Sequence, residues 1–486
     1  MKQKKIFYYG LPLLCTVLLL WYIKAATCNI VYTDYIRLVN SYLPDVANPA
    51  KFFVPDVLTR IPVHYLGRMI NVMFFDYSTT FDMVLGVLGL GLSGLVLADY
   101  CKKQKLGAGW YLLFVMILFG LNKWEMLTNG TGWGHFLAFA GFYYHYIVFD
   151  RVLSGREKPH DKVKLLVLPS VITLGVAGPY CAVYSAVMIL FYGGAAWAQV
   201  QEQKRDPGRR KNLADLHDVA GQVRYWLCCS IGVLVPFLLY LWSNSYAVED
   251  HAGAADISLG EALVSSAGFF PRFLLKSLAS MVVGGETITN WLKACAEAGK
   301  TMDGRIYLLG AAVAAAYLLA LYLNWRYRLY KRTVLPLMLI VAGMGNHGIV
   351  LISRFIFLKE NYGMSSRYAL QYQVGILGII LTIGLLWGQI RGMAAKVMAG
   401  AFCAILLAGH GYTNYEECRM APYREDYVEK IAALALRFEE VSDDELRKEF
   451  DYRQNEPDSG AKVRRALTIL KDNGWNVFSR ETEEAE

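Results

Sequence analysis

Three short stretches of the 486-residue chain carry side chains whose types and spacing could do chemistry. In Thr33-Asp34-Tyr35-Ile36-Arg37 a carboxylate stands three residues before an arginine. On a helix that spacing puts the two on one face, where the acid can serve as a base or metal ligand beside a cation that holds an anion. The same aspartate also reads as a helix cap or an interfacial anchor. Lys123-Trp124-Glu125 sets a second carboxylate between two apolar runs, ahead of Asn129-Gly130-Thr131-Gly132-Trp133-Gly134-His135. A carboxylate confined beside a membrane span is costly to desolvate and usually has a partner, so Glu125 is either a reacting group or half of a structural pair. The glycines either form a turn or let backbone approach a ligand, and Asn129-Gly130-Thr131 fits a glycosylation sequon. Third comes Ser365-Ser366-Arg367-Tyr368, with Arg354, Lys359 and Glu360 nearby. A guanidinium is a planar donor fork matched to phosphate oxygens, although an arginine at a span end also snorkels to the interface.

The elements that must position these residues are membrane helices. The chain is 55% hydrophobic and only 19% charged, against roughly 25% charged in soluble proteins, and its mean hydropathy is +0.30. That composition excludes a secreted disulfide scaffold, a disordered chain and an ordinary cytosolic enzyme. Apolar runs suggest eleven spans, at roughly 7–26, 81–99, 109–122, 133–149, 164–178, 180–198, 225–244, 306–325, 334–357, 368–388 and 397–411. Only Gly178-Pro179 separates the fifth from the sixth. The first follows Lys2, Lys4 and Lys5 and reads as an uncleaved helix rather than a signal peptide. Short connections on one side hold 23 Lys and Arg, while the opposing short loops 122–132 and 358–366 hold one lysine each. The positive-inside rule then puts the N-terminus in the cytoplasm and, with an odd span count, the C-terminus outside.

The expected fold is therefore all-α and polytopic, with a transmembrane unit over 1–412 and an extracytoplasmic helical tail over 413–486. The non-membrane mass falls in outer loops 27–80 and 246–305 and in the tail. Segments 52–75 and 258–285 mix aromatic and basic residues (Phe52, Leu58, Arg60, His64, Arg68; Phe269, Phe273, Arg272, Lys276), which suits helices lying in the interface plane; Pro55 and Pro62 are read as interruptions. The largest cytoplasmic connection has Asp206-Pro207-Gly208 as its turn signal. The tail is acidic, 19 Asp and Glu against 12 Lys and Arg, with Ser442-Asp-Asp-Glu445 as a capping box and Asn473-Gly474 as a helix stop.

Several chemistries lack their residues. No G-x-x-x-x-G-K-[ST], H-E-x-x-H or G-x-S-x-G occurs, which removes a P-loop ATPase, a zinc protease and an elbow-type serine hydrolase. The nine cysteines have no metal spacing, and nothing pairs Cys28, Cys295 or Cys418. His145, His347 and His410 fall in or at the ends of spans and read as hydrogen-bonded packing residues. The +8 net charge is topological: the tail contributes 12 − 19 = −7, leaving +15 for residues 1–412, most of it in cytoplasmic loops. It calls for no nucleic-acid partner.

In layout the chain resembles the GT-C superfamily of integral-membrane glycosyltransferases. The likeness rests on an early acid in the first outer loop (Asp34), a second in the next (Trp124-Glu125 before a Gly/Asn-rich stretch), the late Ser366-Arg367-Tyr368, and the tail segment Ala466 to Phe478. Asp34 is followed by Tyr35, whereas many members carry adjacent acids there. The resemblance implies transfer of a sugar from a polyprenyl-phosphate-linked donor to an envelope glycan, lipid or polymer on the outer face. It implies Asp34 and Glu125 as catalytic residues, Arg37, Arg367 and Arg272 on the donor phosphate, and Trp124, Tyr35, Tyr368 and His64 on substrate. No cofactor is assigned, and a divalent cation is left open. Two other readings stand beside it: a transporter or flippase of lipid-linked glycans, and a non-catalytic scaffold for envelope assembly.

Overall fold

The structure, a computed structural model, describes residues 2–54, 61–205, 213–245, 254–453 and 456–479. Over these residues it is helical throughout, without a strand. Pro55, Leu58, Arg60 and Asp206-Pro207-Gly208 lie outside the described residues.

The N-terminal half opens with α1 (Lys2–Ala26), then the short α2 (Asp34–Tyr42) and α3 (Pro62–Phe74). Pro62 does not interrupt α3 but starts it at a position where no N–H is needed. Next come α4 (Thr79–Lys103), α5 (Ala108–Leu118), the single turn α6 (Trp124–Thr128) and α7 (Trp133–Leu153). Gly89 lets α4 and α7 touch: a Cβ there would meet the Leu137 backbone nitrogen at 2.9 Å. Small residues of this kind allow close helix approach in lipid. α8 (Asp161–Ile172) and α9 (Cys181–Arg205) follow, joined by a π turn at Thr173–Ala177 and a 3-10 turn at Gly178–Tyr180. Gly178 has φ +53°. The Tyr192 hydroxyl donates to the Leu165 carbonyl at 3.2 Å; in one straight helix those residues would be about 40 Å apart. The chain therefore reverses at Gly178-Pro179.

The second half holds α10 (Leu213–Asn244), α11 (Leu259–Ser265), α12 (Phe269–Ala279), α13 (Gly285–Glu297) and α14 (Asp303–Arg326). Ser258 and Glu261 form a reciprocal capping box that starts α11. Then come α15 (Leu335–Arg354), α16 (Ala369–Leu386), α17 (Met393–Leu436), α18 (Asp443–Glu449) and α19 (Ser459–Asn473). α15 and α16 close on the Gly343–Gly375 pair, where a Cβ on Gly343 would meet the Gly375 Cα at 2.3 Å.

Among the described residues nine helical stretches are long and apolar enough to cross a membrane, and the chain is a membrane protein. The eleven runs expected from the sequence map onto them with two differences. Run 133–149 lies in α7, which is helical and buried but rich in Tyr and His and holds Asp150 and Arg151. Runs 164–178 and 180–198 fall in one stretch, Asp161–Gln201, that contains the reversal. Large apolar side chains remain exposed along these helices, such as Leu14, Val17 and Trp21 on α1 and Leu227, Ile231 and Leu238 on α10. In water such a belt would be a liability; in hydrocarbon it is the required outer surface. All nine cysteines are free. His145 bonds Tyr184 and Tyr192, His347 bonds Ser277, and His410 bonds the Met281 carbonyl.

The tail continues from the last apolar helix and packs on the first large loop. α17 is 44 residues, about 66 Å at 1.5 Å per residue, twice what the hydrocarbon needs. It runs unbroken through residue 412, and its far half joins α18, α19 and α2 in a second core. Ile30, Ile36, Val39 and Tyr77 pack there against Val428, Ile431, Leu446, Leu467 and Leu470. Asn476, buried and at φ +59°, pins both ends of the first large loop. Its side-chain oxygen accepts from the Val31 N–H at 3.0 Å, and its amide donates to Asn29 Oδ1 at 2.9 Å and the Tyr77 carbonyl at 3.1 Å.

Candidate functional site

Residues from three distant segments meet at the bundle end where α1 stops and α4 and α16 begin. Arg367 Nε donates to Glu125 Oε1 at 2.5 Å, and its Nη1 lies 3.5 Å from Asp34 Oδ2. Ser366 Oγ donates to the other Glu125 oxygen at 2.8 Å. One guanidinium thus sits between two carboxylates. All three charged side chains stay open: Arg367 is 51% exposed, Asp34 43% and Glu125 23%.

Local sequence explains each placement. Asp34 opens α2, one residue after Thr33, which holds φ +49°. That backbone is strained for a β-branched residue and is fixed from outside: the Thr33 N–H donates to the Phe450 carbonyl at 3.1 Å. Neighbouring Tyr32 has its hydroxyl pushed up to about 12 by burial first, then by Tyr427 and the Glu125 charge. Glu125 is the second residue of α6, two after Lys123, whose buried ammonium donates to the Leu118 and Gly120 carbonyls at 3.2 and 2.6 Å. Lys123 therefore caps the end of α5, as cations do at helix C-termini. Arg367 lies in a 3-10 turn (Ser366–Tyr368) started by the Ser365 hydroxyl, which accepts from the Arg367 N–H.

Other residues expected at the site are arranged around it or away from it. Trp124 is adjacent, with the Arg424 guanidinium 3.6 Å from its ring centroid. Tyr368 follows Arg367 and lies 5.8 Å below the Arg354 guanidinium. Tyr35 points away: one residue along a helix rotates the side chain by about 100°, and its buried hydroxyl donates to Asp82 Oδ2 at 3.0 Å. Arg37 sits a turn beyond Asp34, close enough to Tyr77 and Tyr452 for its charge to act on both. His64 is half-buried beside His135, ring centroids 5.7 Å apart, with Trp133 at 5.2 Å. Burial, then His135 and Arg68, hold its imidazole well below the usual histidine range. Arg272 belongs to another cluster, bonded to Glu360 at 2.5 Å. There Lys276 bridges Glu360, Asp303 and Asn361 at 3.1, 2.7 and 2.9 Å, and Tyr307 donates to Glu360 at 2.8 Å.

The geometry brings forward Arg354, which the sequence marks only as a neighbour of Ser365–Tyr368, and three residues that sequence reasoning passes over: Arg424, Glu417 and Glu286. Arg354 ends α15 next to Tyr368, with its Nε buried and without a hydrogen-bond partner. Arg424 spans Trp124, the Tyr22 hydroxyl at 3.0 Å and Glu417 at 2.5 Å. Glu417 and Arg424 are seven apart on α17, a spacing that could have flagged them. Glu286, at the start of α13, carried no signal. Among the described residues no group of three or more His, Cys, Asp or Glu is arranged to hold a metal ion.

Fold and site together define a polytopic all-α membrane protein with an acid–arginine–acid cluster at one end of its bundle. Compared with protein-family models, curated proteins and solved structures, the chain gives no match.

Proposed function

We propose that the protein is a membrane glycosyltransferase of the GT-C kind, moving a sugar from a polyprenyl-phosphate-linked donor to an envelope glycan, lipid or polymer. The observation that carries this reading is Arg367 held between Asp34 and Glu125, a cation for a leaving phosphate beside two acids for a hydroxyl proton. An apolar groove of about 970 Å³ between α1, α5 and α17, lined by Leu18, Trp110, Met116 and Leu407, suits the donor's hydrocarbon chain. The groove's lining extends to Tyr22, Asn414 and Cys418, and Tyr22 shares Arg424 with Trp124.

The step balances simply. The acceptor oxygen attacks the anomeric carbon while its proton passes to a carboxylate. The bond from that carbon to the phosphate oxygen breaks, and polyprenyl phosphate leaves with the electron pair. Arg367 stabilises the charge that develops on it, the kind of interaction that most lowers such barriers. Asp34 is the first choice of base, because its contact with Arg367 is the longer one and it is the more open acid; Glu125, tied to both Arg367 and Ser366, is the second.

In this reading the membrane is the cell's plasma membrane and the site faces outward. The basic short loops favour a cytoplasmic N-terminus under the positive-inside rule, which supports this reading. Counting α7 as a span and the two legs around Gly178 separately gives eleven crossings and an outside C-terminus. A transfer assay with purified protein and lipid-linked donor tests the function. Asp34→Asn should lower turnover by about 10²-fold or more, the contribution expected of a general base, and Glu125→Gln by less. Full transfer by Asp34→Asn overturns the assignment of the base; absence of transfer with every polyprenyl-phosphate sugar overturns the function.

A further inference from the structure

Next to the Arg367 cluster, α13, α17 and Trp124 enclose a second cavity of about 460 Å³, within the ~300–1,000 Å³ of small-molecule sites. Its walls are partly aromatic: Trp124 contributes, and the Trp291 and Tyr412 rings lie 5.7 Å apart at 31°. Four of its five charged side chains are matched. Arg419 pairs with Glu416 at 2.6 Å and Arg424 with Glu417 at 2.5 Å. Glu286 is the fifth. It lines the cavity half-buried, and among the described residues it makes no hydrogen bond or ion pair. Burial first, then the Glu125 charge, raise its carboxyl above the usual glutamate value, against Arg424 and Lys293.

We propose that this cavity binds a hydroxyl-rich ring, the sugar of the glycosyl acceptor, with its C–H face on Trp291 and Tyr412 and a hydroxyl donating to Glu286. A carboxylate is an acceptor only, so a hydroxyl satisfies it, while a phosphate would be repelled. A small organic cation would also suit an acid among aromatic rings. However, the face of Trp124 is already covered by Arg424, so one of the aromatic faces a cation would use is taken. Thr287 and Asn290 supply further polar groups beside Glu286. The two substrates are thereby sorted by charge, the anionic donor at Arg367 and the neutral ring at Glu286. The proposal deepens the transferase reading by naming the acceptor's chemistry, and it rests on that reading only for the acceptor role, since binding needs no donor.

The test is tryptophan fluorescence of the purified full-length protein during titration with methyl β-D-galactopyranoside, methyl α-D-mannopyranoside or methyl N-acetyl-β-D-glucosaminide, with choline chloride as the contrasting cation. At least one glycoside should saturate at millimolar concentration and choline should not. Glu286→Gln, nearly isosteric, should weaken binding about tenfold, as loss of a charge-assisted hydrogen bond does. Trp291→Leu should abolish binding when the same glycoside is titrated by calorimetry, which does not depend on the tryptophan removed, with thermal unfolding confirming that both variants fold. Saturation by choline alone, by no glycoside, or equally in both variants overturns the proposal. Glycoside binding without any transfer overturns the transferase reading and leaves the cavity's ligand class standing.

Discussion

Two clusters of the same chemistry, one arginine among acids, sit in the segments that join the membrane helices, and they are built differently. Around Glu360 the carboxylate is saturated: Arg272, Lys276 and Tyr307 all donate to it, and Lys276 is only 5% exposed. Around Arg367 the cation is shared by two acids, and all three charged groups are reachable from outside. The first arrangement joins α12, the start of α14 and the loop at 360–361, five residues before Ser366. The second leaves donor and acceptor capacity unspent, which a binding site needs and a structural joint does not.

That contrast is broken most forcefully by exchanging the consequences of losing each cation. Arg367→Gln should cost about 10²–10³-fold in transfer, the usual effect of removing one preorganised charge-stabilising donor. Because the pairs it makes are half-exposed, and such pairs are worth about 0–1 kcal/mol, the thermal midpoint should hardly move. A large fall in midpoint with transfer retained would make Arg367 a joint like the other.

Lys276→Met should do the reverse, with a smaller effect. Removing one partner of a fully buried pair costs about 3–5 kcal/mol, but Asp303 and Glu360 are partly exposed, so about 2 kcal/mol is expected here. Denaturation monitored in detergent reads this directly. Transfer measured well below the midpoint should fall only a few-fold. Loss of transfer as deep as that of Arg367→Gln, at unchanged stability, would place Lys276 in the reacting site.

How much of this was legible in the sequence follows from what membranes make conspicuous. Asp34, Glu125 and Arg367 stood out because charge at the end of an apolar run has few bland explanations, and all three converge. Arg272 stood out for the same reason and belongs elsewhere, since its partner Glu360 lies 88 residues away and only the packing of α12 brings them together. Tyr35 was read with its neighbour, yet helical rotation sends it to Asp82. Glu286 gives no sign, because its interest lies in making no hydrogen bond or ion pair among the described residues, which spacing cannot express. The helices of the tail are legible, but no local pattern tells that Asn476 reaches Asn29 across 447 positions. Helix identity survived better than span count: aromatic and histidine residues lower the hydropathy of α7 without making it less buried.

The mildest way to separate the clusters is acid. Desolvation would raise the Glu360 carboxyl, but hydrogen bonds from Tyr307, Lys276 and Arg272 outweigh it and hold the group below its ordinary value near 4.5. A carboxyl whose folded value is depressed binds protons more tightly in the unfolded chain, so its contribution to stability is complete above that ordinary value and is lost as pH falls through the folded one. The thermal midpoint of the wild-type protein should therefore exceed that of Glu360→Gln by a constant margin from pH 7 down to about pH 5, and the margin should close below about pH 4.5. Taking the difference between the two proteins cancels the other carboxyls that titrate in the same range. A margin that instead closes as pH rises would mean that the surrounding cations do not hold Glu360 ionised, and the joint would then rest on the packing of α12 against α14 rather than on charge.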